Sequence, residues 1–194
     1  MRVLITGFGP FPGAPVNPTM RLVEELARSR HPALAGIRLA GDVFETSYAA
    51  VDRDLPKLLA RHRPDIVLMF GLAARTPHLR VETRARNALA RLSPDVSGQR
   101  PRDDAITAAG PCARIGRAPF VRLAKAAGTP RLPAQLSRDA GAYLCNYSYW
   151  RALETASRSD TLVQFIHVPP IMRGPALLRA GEAILRTLIR ARRR

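Results

Sequence analysis

Cysteine is scarce. Cys112 and Cys145 are the two cysteines in 194 residues, too few for a disulfide framework to stand in for a hydrophobic core. Lysine is nearly missing too: apart from Lys57 and Lys125 the basic residues are all arginine. No apolar run approaches the roughly 20 residues of a membrane-spanning helix. The opening MRVLITGFGPF is apolar and uninterrupted only from Val3 to Ile5, too short for a signal-peptide core, so it reads as a first strand. There is no GxSxG, Walker loop, HExxH or paired CxxC. The commonest serine-hydrolase, P-loop and structural-zinc signatures are therefore excluded. With no signal-peptide core and no membrane span, the cytoplasm is the default location.

What is present is the composition of a folded soluble protein. Hydrophobic residues make up 46% and charged residues 24%, enough apolar surface to offset the entropy of ordering the chain. The length suits one domain spanning residues 1–194. The formal net charge of +16 would ordinarily suggest nucleic acid or an anionic membrane. The arginines are scattered from Arg2 to Arg194, however, as in a global compositional bias. The one cluster, Arg186, Arg190, Arg192, Arg193 and Arg194, closes an amphipathic helix, where cations suit the helix dipole. It reads as a solvated helix end. Neither membrane nor nucleic acid is expected as a partner. The rival, a nucleic-acid binder, would show affinity that falls steeply with salt.

Strand and helix signals alternate along the chain. Val3 to Phe8 reads as a strand running into a Gly/Pro loop. Pro18 to Arg30 reads as a helix capped by Asn17, with proline at its first position. Ile37 to Thr46 reads as a strand, and Ser47 to His62 as a helix broken or kinked near Pro56. DIVLMFG, Asp65 to Gly71, is a continuous apolar run between Pro64 and Gly71, as in a strand buried on both faces of a parallel sheet. Leu79 to Leu89 alternates partly, as a strand or hairpin. Ser93 to Pro111 reads as a long loop. Pro119 to Ala127 is a helix, Arg131 to Ser137 a strand, Cys145 to Ala156 a helix, Thr161 to Val168 a buried strand and Pro175 to Arg193 a final helix. The sum is an α/β fold with a mainly parallel sheet covered by helices.

Three places carry chemistry. The first loop has glycines at 7, 9 and 13, which misses the dinucleotide spacing by one position, and Pro10 and Pro12 remove two N–H donors that a phosphate would need. Phe8 and Phe11 instead make the loop aromatic, either as core or as the lining of a pocket at the C-terminal end of the first strand. Cys145 lies in DAGAYLCNYSYW, where Gly141 and Ala142 allow a tight approach to a helix start. A thiol there feels the positive end of the dipole, which can bring a thiol pKa from ~8.5 into a range of roughly 3.5–7.5. A buried inert cysteine is the other reading, and Cys112 has no comparable setting. His167 closes the apolar strand LVQFIH and is either a satisfied structural histidine or a general base facing a loop. His31, His62 and His78 sit in polar surroundings and read as surface residues.

Taken together, TGFGPFPG with VNPT, VETRARN, AGAYLCNY and FIHVP resemble pyroglutamyl peptidase I, a cofactor-free family of cysteine peptidases that remove N-terminal pyroglutamate. The resemblance runs in order over the whole chain. It implies a single three-layer α/β/α sandwich around a twisted sheet, a peptide substrate with a blocked N-terminus and a homo-oligomer, a tetramer or dimer. By this resemblance Cys145 matches the nucleophile, His167 the base and Glu82 the third member, with Asn87 in the expected place after Glu82. Phe8 and Phe11 match the aromatic pocket, Asn17 the Asn of the NP motif, and Tyr143 and Leu144 the residues before the nucleophile. Leu72 occupies a substrate position where the family has glutamine. Arg75 replaces a glycine, Thr76 an arginine, and Leu92 aligns with another arginine beside Arg91. These departures imply an intact catalytic trio with altered recognition. They also leave open a non-catalytic descendant that binds a ligand or partner.

Overall fold

The computed structural model describes residues 1–11, 14–129, 133–171 and 174–193. Pro12, Gly13, the first residues of the strand expected from Arg131, and Arg194 lie outside the described residues.

Six strands form one sheet in the order β2-β1-β3-β8-β4-β7. They are β1 (Arg2–Phe8), β2 (Arg38–Phe44), β3 (Ile66–Leu72), β4 (Leu79–Glu82), β7 (Ala134–Ser137) and β8 (Leu162–Val168). All neighbours run parallel except β4 and β8, which are antiparallel. The helices are α1 (Pro18–Ala27), α2 (Tyr48–His62), α3 (Phe120–Ala127), α4 (Leu144–Ala156) and α5 (Gly174–Arg192).

The apolar runs split by parity, as a period of two requires. Ile66, Leu68 and Phe70 join Val3 and Ile5 in a core under α1, α3 and α5. Val67 and Met69 join Leu4 and Phe8 in a second core under α2 and α4. Two cores on opposite faces of one sheet make a three-layer α/β/α sandwich. On β8, Phe165 faces the α2/α4 layer, so His167 two residues on faces it too; Ile166 and Val168 face the other way. On β4, Leu79 and Val81 belong to the α1/α3/α5 core, which turns Arg80 and Glu82 toward the α2/α4 layer.

Several boundaries differ from the sequence expectation. The first helix ends at Ala27 rather than Arg30, with the Arg28 N–H bonded to the Glu24 carbonyl. The second runs unbroken through Pro56. Pro56 and Asp52, one turn earlier, lie on its exposed face, so the carbonyl that Pro56 cannot serve is left to water rather than buried. Leu79 to Leu89 is not a hairpin on itself. After β4 the chain leaves the main sheet, and β5 (Arg84–Arg86) pairs with β6 (Ala113–Ile115), a strand the sequence did not signal. Three-residue strands are too short for alternation to be visible.

The long 93–111 segment is tied down at both ends. Buried Asp95 accepts hydrogen bonds from the Tyr48, Ser97 and Gln99 backbone N–H groups and from the Ser97 hydroxyl. Asn87 exchanges two hydrogen bonds with the backbone of Thr107. The Arg-rich end of α5 is paired in part: Arg192 meets Asp160 at 2.5 Å and Arg186 meets Glu182 at 3.9 Å.

Candidate active site

The parallel strands β1, β2, β3 and β8 end together, which places Phe8, Phe44, Leu72 and His167 along one edge of the sheet. That edge is where open α/β folds bind ligands. The chain reaches α4 through Gly141, whose φ of 86° lies in the left-handed region that only glycine enters without strain. Tyr143 is the N-cap and offers no side-chain cap, so Cys145 sits in the first turn beside uncapped backbone N–H groups.

Cys145, His167 and Glu82 converge. The Cys145 sulfur is in hydrogen-bonding reach of the His167 imidazole. The other ring nitrogen, Nδ1, lies 2.8 Å from Glu82 Oε1. Glu82 is fully buried and His167 nearly so. Burial opposes a charge on His167. The Cys145 sulfur, through charge and hydrogen bond, and then Glu82 outweigh it, so the imidazole pKa is pushed up to about 9. At neutral pH the ring is an imidazolium held between the Cys145 sulfur and the Glu82 side chain.

A supporting frame surrounds these three groups. The Glu82 carbonyl accepts hydrogen bonds from the Tyr149 hydroxyl at 3.2 Å and from Gln164 Nε2 at 3.0 Å. The Phe165 ring lies 5.0 Å from the imidazole centroid and 5.7 Å from that of Tyr149. Buried Asn146, next to the cysteine, accepts from the Arg86 N–H at 2.8 Å and donates to the carbonyls of Arg86 and Ala88 at 2.8 and 3.1 Å. It thus bolts α4 to the segment that follows Glu82. Asn146→Ala strands those three backbone groups, at roughly 2–4 kcal/mol of stability. For a chain of this size that lowers Tm by about 5–15 °C, read by calorimetry.

Gly71, Asn146 and Arg80 escaped the sequence reading. Gly71 is the tightest of them: a Cβ there would lie 2.6 Å from Cys145 Sγ and 2.8 Å from the Phe165 ring. The cysteine's place exists because residue 71 has no side chain.

The residues expected to contact substrate are spread around this centre. Phe8 is buried against Phe44, ring centroids 5.8 Å apart. Phe11 is half-buried and bridges to Ala14. Asn17 is buried as the cap of α1; its Oδ1 accepts from the Thr19 N–H and hydroxyl, and its Nδ2 donates to the Gly9 carbonyl. Leu72 is half-buried directly after Gly71. Tyr143 is half-buried, donates to the Pro94 carbonyl at 2.9 Å and packs edge-on to Tyr48. Leu144 is buried in the α2/α4 core. Leu92 is largely exposed, and Arg91 beside it pairs with Asp104. Cys112 is free and exposed, and His31, His62 and His78 are half-buried.

Two sizeable cavities lie elsewhere. One of about 560 Å³ is lined by Pro10, Val16, Asn17, Met20 and Leu177 behind the first loop. Another, of about 510 Å³, opens at the opposite end of the sheet near Arg2, Arg63 and Asp160. Neither brings together groups that exchange protons with a nucleophile, so chemistry rather than volume locates the site. No group of three or more potential metal ligands occurs among the described residues, and none of their helices is long and apolar enough to cross a membrane.

Comparison with known proteins identifies the family. The family model described as pyroglutamyl peptidase matches residues 1–178. A pyrrolidone-carboxylate peptidase from Thermococcus onnurineus is 32% identical over 98% of this chain and 100% of its own length. One from Clavibacter michiganensis is 33% identical over 96% and 92%. Among solved structures, a mutant pyrrolidone carboxyl peptidase from Pyrococcus furiosus superposes with a TM-score of 0.91 at 27% identity, covering 99% of this chain and 100% of that one. The Thermococcus litoralis enzyme gives 0.89 at 28% identity, over 97% and 93%. The chain belongs to the pyroglutamyl peptidase family and is a cysteine peptidase of the pyroglutamyl type.

Proposed function

We propose that Cys145, His167 and Glu82 carry this activity, and that the substrate is a peptide whose N-terminus is blocked as pyroglutamate. The observation behind the proposal is the relay itself: sulfur, imidazole and buried carboxylate in hydrogen-bonding sequence. The Cys145 thiolate attacks the pyroglutamyl carbonyl carbon, and the developing oxyanion takes hydrogen bonds from N–H groups in the first turn of α4. The C–N bond breaks as the His167 imidazolium gives its proton to the leaving amine. The neutral imidazole then takes a proton from water, and the hydroxide attacks the thioester. Collapse of that intermediate frees pyroglutamate and returns thiolate and imidazolium. Glu82 holds the imidazole's tautomer and stabilises its charged form throughout. Phe8, Phe11 and Leu72 would flank the lactam ring, with Asn17, Tyr143 and Leu144 shaping the walls.

Release of coumarin from a pyroglutamyl-coumarin amide tests the substrate, with prolyl and glutaminyl amides as controls. A rate no higher than the spontaneous one would overturn the assignment. The pH profile tests the relay. The proton His167 donates is lost near pH 9, so kcat/KM falls above about that pH. Stability follows the same group. A pKa raised on folding gives stabilisation that is complete below about 6.5 and lost as pH rises through about 9. The urea midpoint of the wild type therefore drops across that window, and that of His167→Gln drops less. A profile flat to pH 10 would contradict both expectations.

The chain is taken as one catalytic domain acting in the cytoplasm as a homo-oligomer. Two free thiols and the family resemblance support this reading, and sedimentation of the purified protein tests the oligomer.

A further inference from the structure

Glu82 has a second cation. Arg80 Nε lies 3.1 Å from Glu82 Oε1, the same oxygen that His167 Nδ1 meets at 2.8 Å. The other oxygen, Oε2, is buried with no hydrogen-bond partner among the described residues. All the compensation this buried carboxylate receives from side chains therefore falls on one atom, shared by two cations. The register explains the arrangement. Arg80 on β4 stands opposite His167 on β8, and Glu82 opposite Phe165, so the four side chains share one face. Arg80 is itself held: its Nη2 donates to Ser137 Oγ at 2.5 Å and to the Asp139 carbonyl. Its side chain is only 23% exposed.

Resting on the catalytic reading above, we propose that Arg80 is a positioning residue: it keeps Glu82 ionised and aimed when His167 has given up its proton, and it shares the carboxylate so that His167 can release that proton. The need is specific to the cycle. While His167 is charged, a second cation beside Glu82 is redundant. Once the proton has gone to the leaving amine, Glu82 faces a neutral ring inside a dry core, where an uncompensated carboxylate is costly. Arg80 cannot lose its charge, so it spans that step.

The charged and titratable groups around the pair are few. Helix α4 contributes Cys145 and Tyr149, β4 contributes Arg80, β7 ends in Ser137, and beyond it comes Asp139, whose carboxylate is turned to Arg86 at 3.3 Å. β3 contributes only Gly71 at this level. Removing the Arg80 charge must raise the proton affinity of the His167–Glu82 pair, whichever member holds the proton. The sign is thus fixed in advance.

The test is titration of the His167 ring by NMR in the full-length protein, its signals assigned by their loss in His167→Ala. Arg80→Met should move the midpoint up by about one pH unit or more, and Arg80→Lys should restore most of the difference. Turnover of the pyroglutamyl amide should fall about tenfold in kcat in Arg80→Met with KM little changed. A merely structural arginine would lower the urea midpoint and leave the titration where it was. An unmoved or lowered midpoint in folded Arg80→Met would overturn the proposal. NMR needs no turnover, so this outcome is separate from a failure of the catalytic reading, which would appear as a wild type inert to the amide.

Discussion

Cys145→Ser lowers kcat/KM for a pyroglutamyl amide by on the order of 10⁴-fold or more, and Cys145→Ala reduces it to the background of the remaining site. The scale follows from groups that act as a unit: losing one member of a nucleophile–base pair costs nearly as much as losing the set. An oxygen in place of sulfur keeps the shape but not the chemistry. His167 is tuned to hold a proton that a hydroxyl does not surrender at neutral pH. His167→Ala should fall by a similar factor, and the double variant scarcely further. Steady-state kinetics with active-site titration read this directly. A serine variant within tenfold of wild type would remove Cys145 from the mechanism.

The second large effect comes from a residue with no functional group. In Gly71→Ala the new methyl carbon would lie 2.6 Å from Cys145 Sγ and 2.8–2.9 Å from two atoms of the Phe165 ring. Neither approach is sterically possible, so one of them must yield. Phe165 lies fully buried between Tyr149 and His167 and has nowhere to go. The cysteine, on the more open side, is the group that moves. Displacing a nucleophile by about 1 Å costs on the order of 10²-fold. The loss should fall on kcat, with KM little affected and the far-ultraviolet circular dichroism unchanged. Alkylation of Cys145 in the variant should slow in parallel with turnover. Unchanged turnover would mean that the β3 backbone shifts to absorb the methyl group.

How much of this was legible in the sequence depends on the range over which each signal acts. DIVLMFG reads as a buried strand from its own residues, and Asn17-Pro18 reads as a helix start because cap and proline are local. The layered α/β arrangement follows from such segments. The antiparallel placement of β4 against β8 does not, since no local feature of LRVE or LVQFIHV encodes its partner. That pairing is what sets Arg80 beside Glu82 and His167. Gly71 looked like a strand terminator, and only the position of the Cys145 sulfur gives it a second meaning. The β5/β6 ladder was invisible because a three-residue strand has no period. Cys145 and His167 stood out from their own settings, a helix start and a strand end, but Glu82 and the grouping of the three came through resemblance, as spacing along the chain says nothing about whether a sulfur and an imidazole meet. Asn87 was marked only by resemblance and Asp95 not at all; that they hold the long loop follows from their hydrogen bonds.

The two cysteines provide an internal comparison for the central claim. Cys112 is exposed and Cys145 is half-buried, so access alone favours Cys112. The relay favours Cys145, whose sulfur faces an imidazolium that stays charged up to about pH 9. Brief treatment with substoichiometric iodoacetamide at pH 6, followed by peptide mass spectrometry, measures which thiol reacts. The account predicts label on Cys145 well ahead of Cys112 in the wild type, with the preference lost in His167→Ala. Label on Cys112 first, or a preference for Cys145 that survives loss of the imidazole, would contradict it.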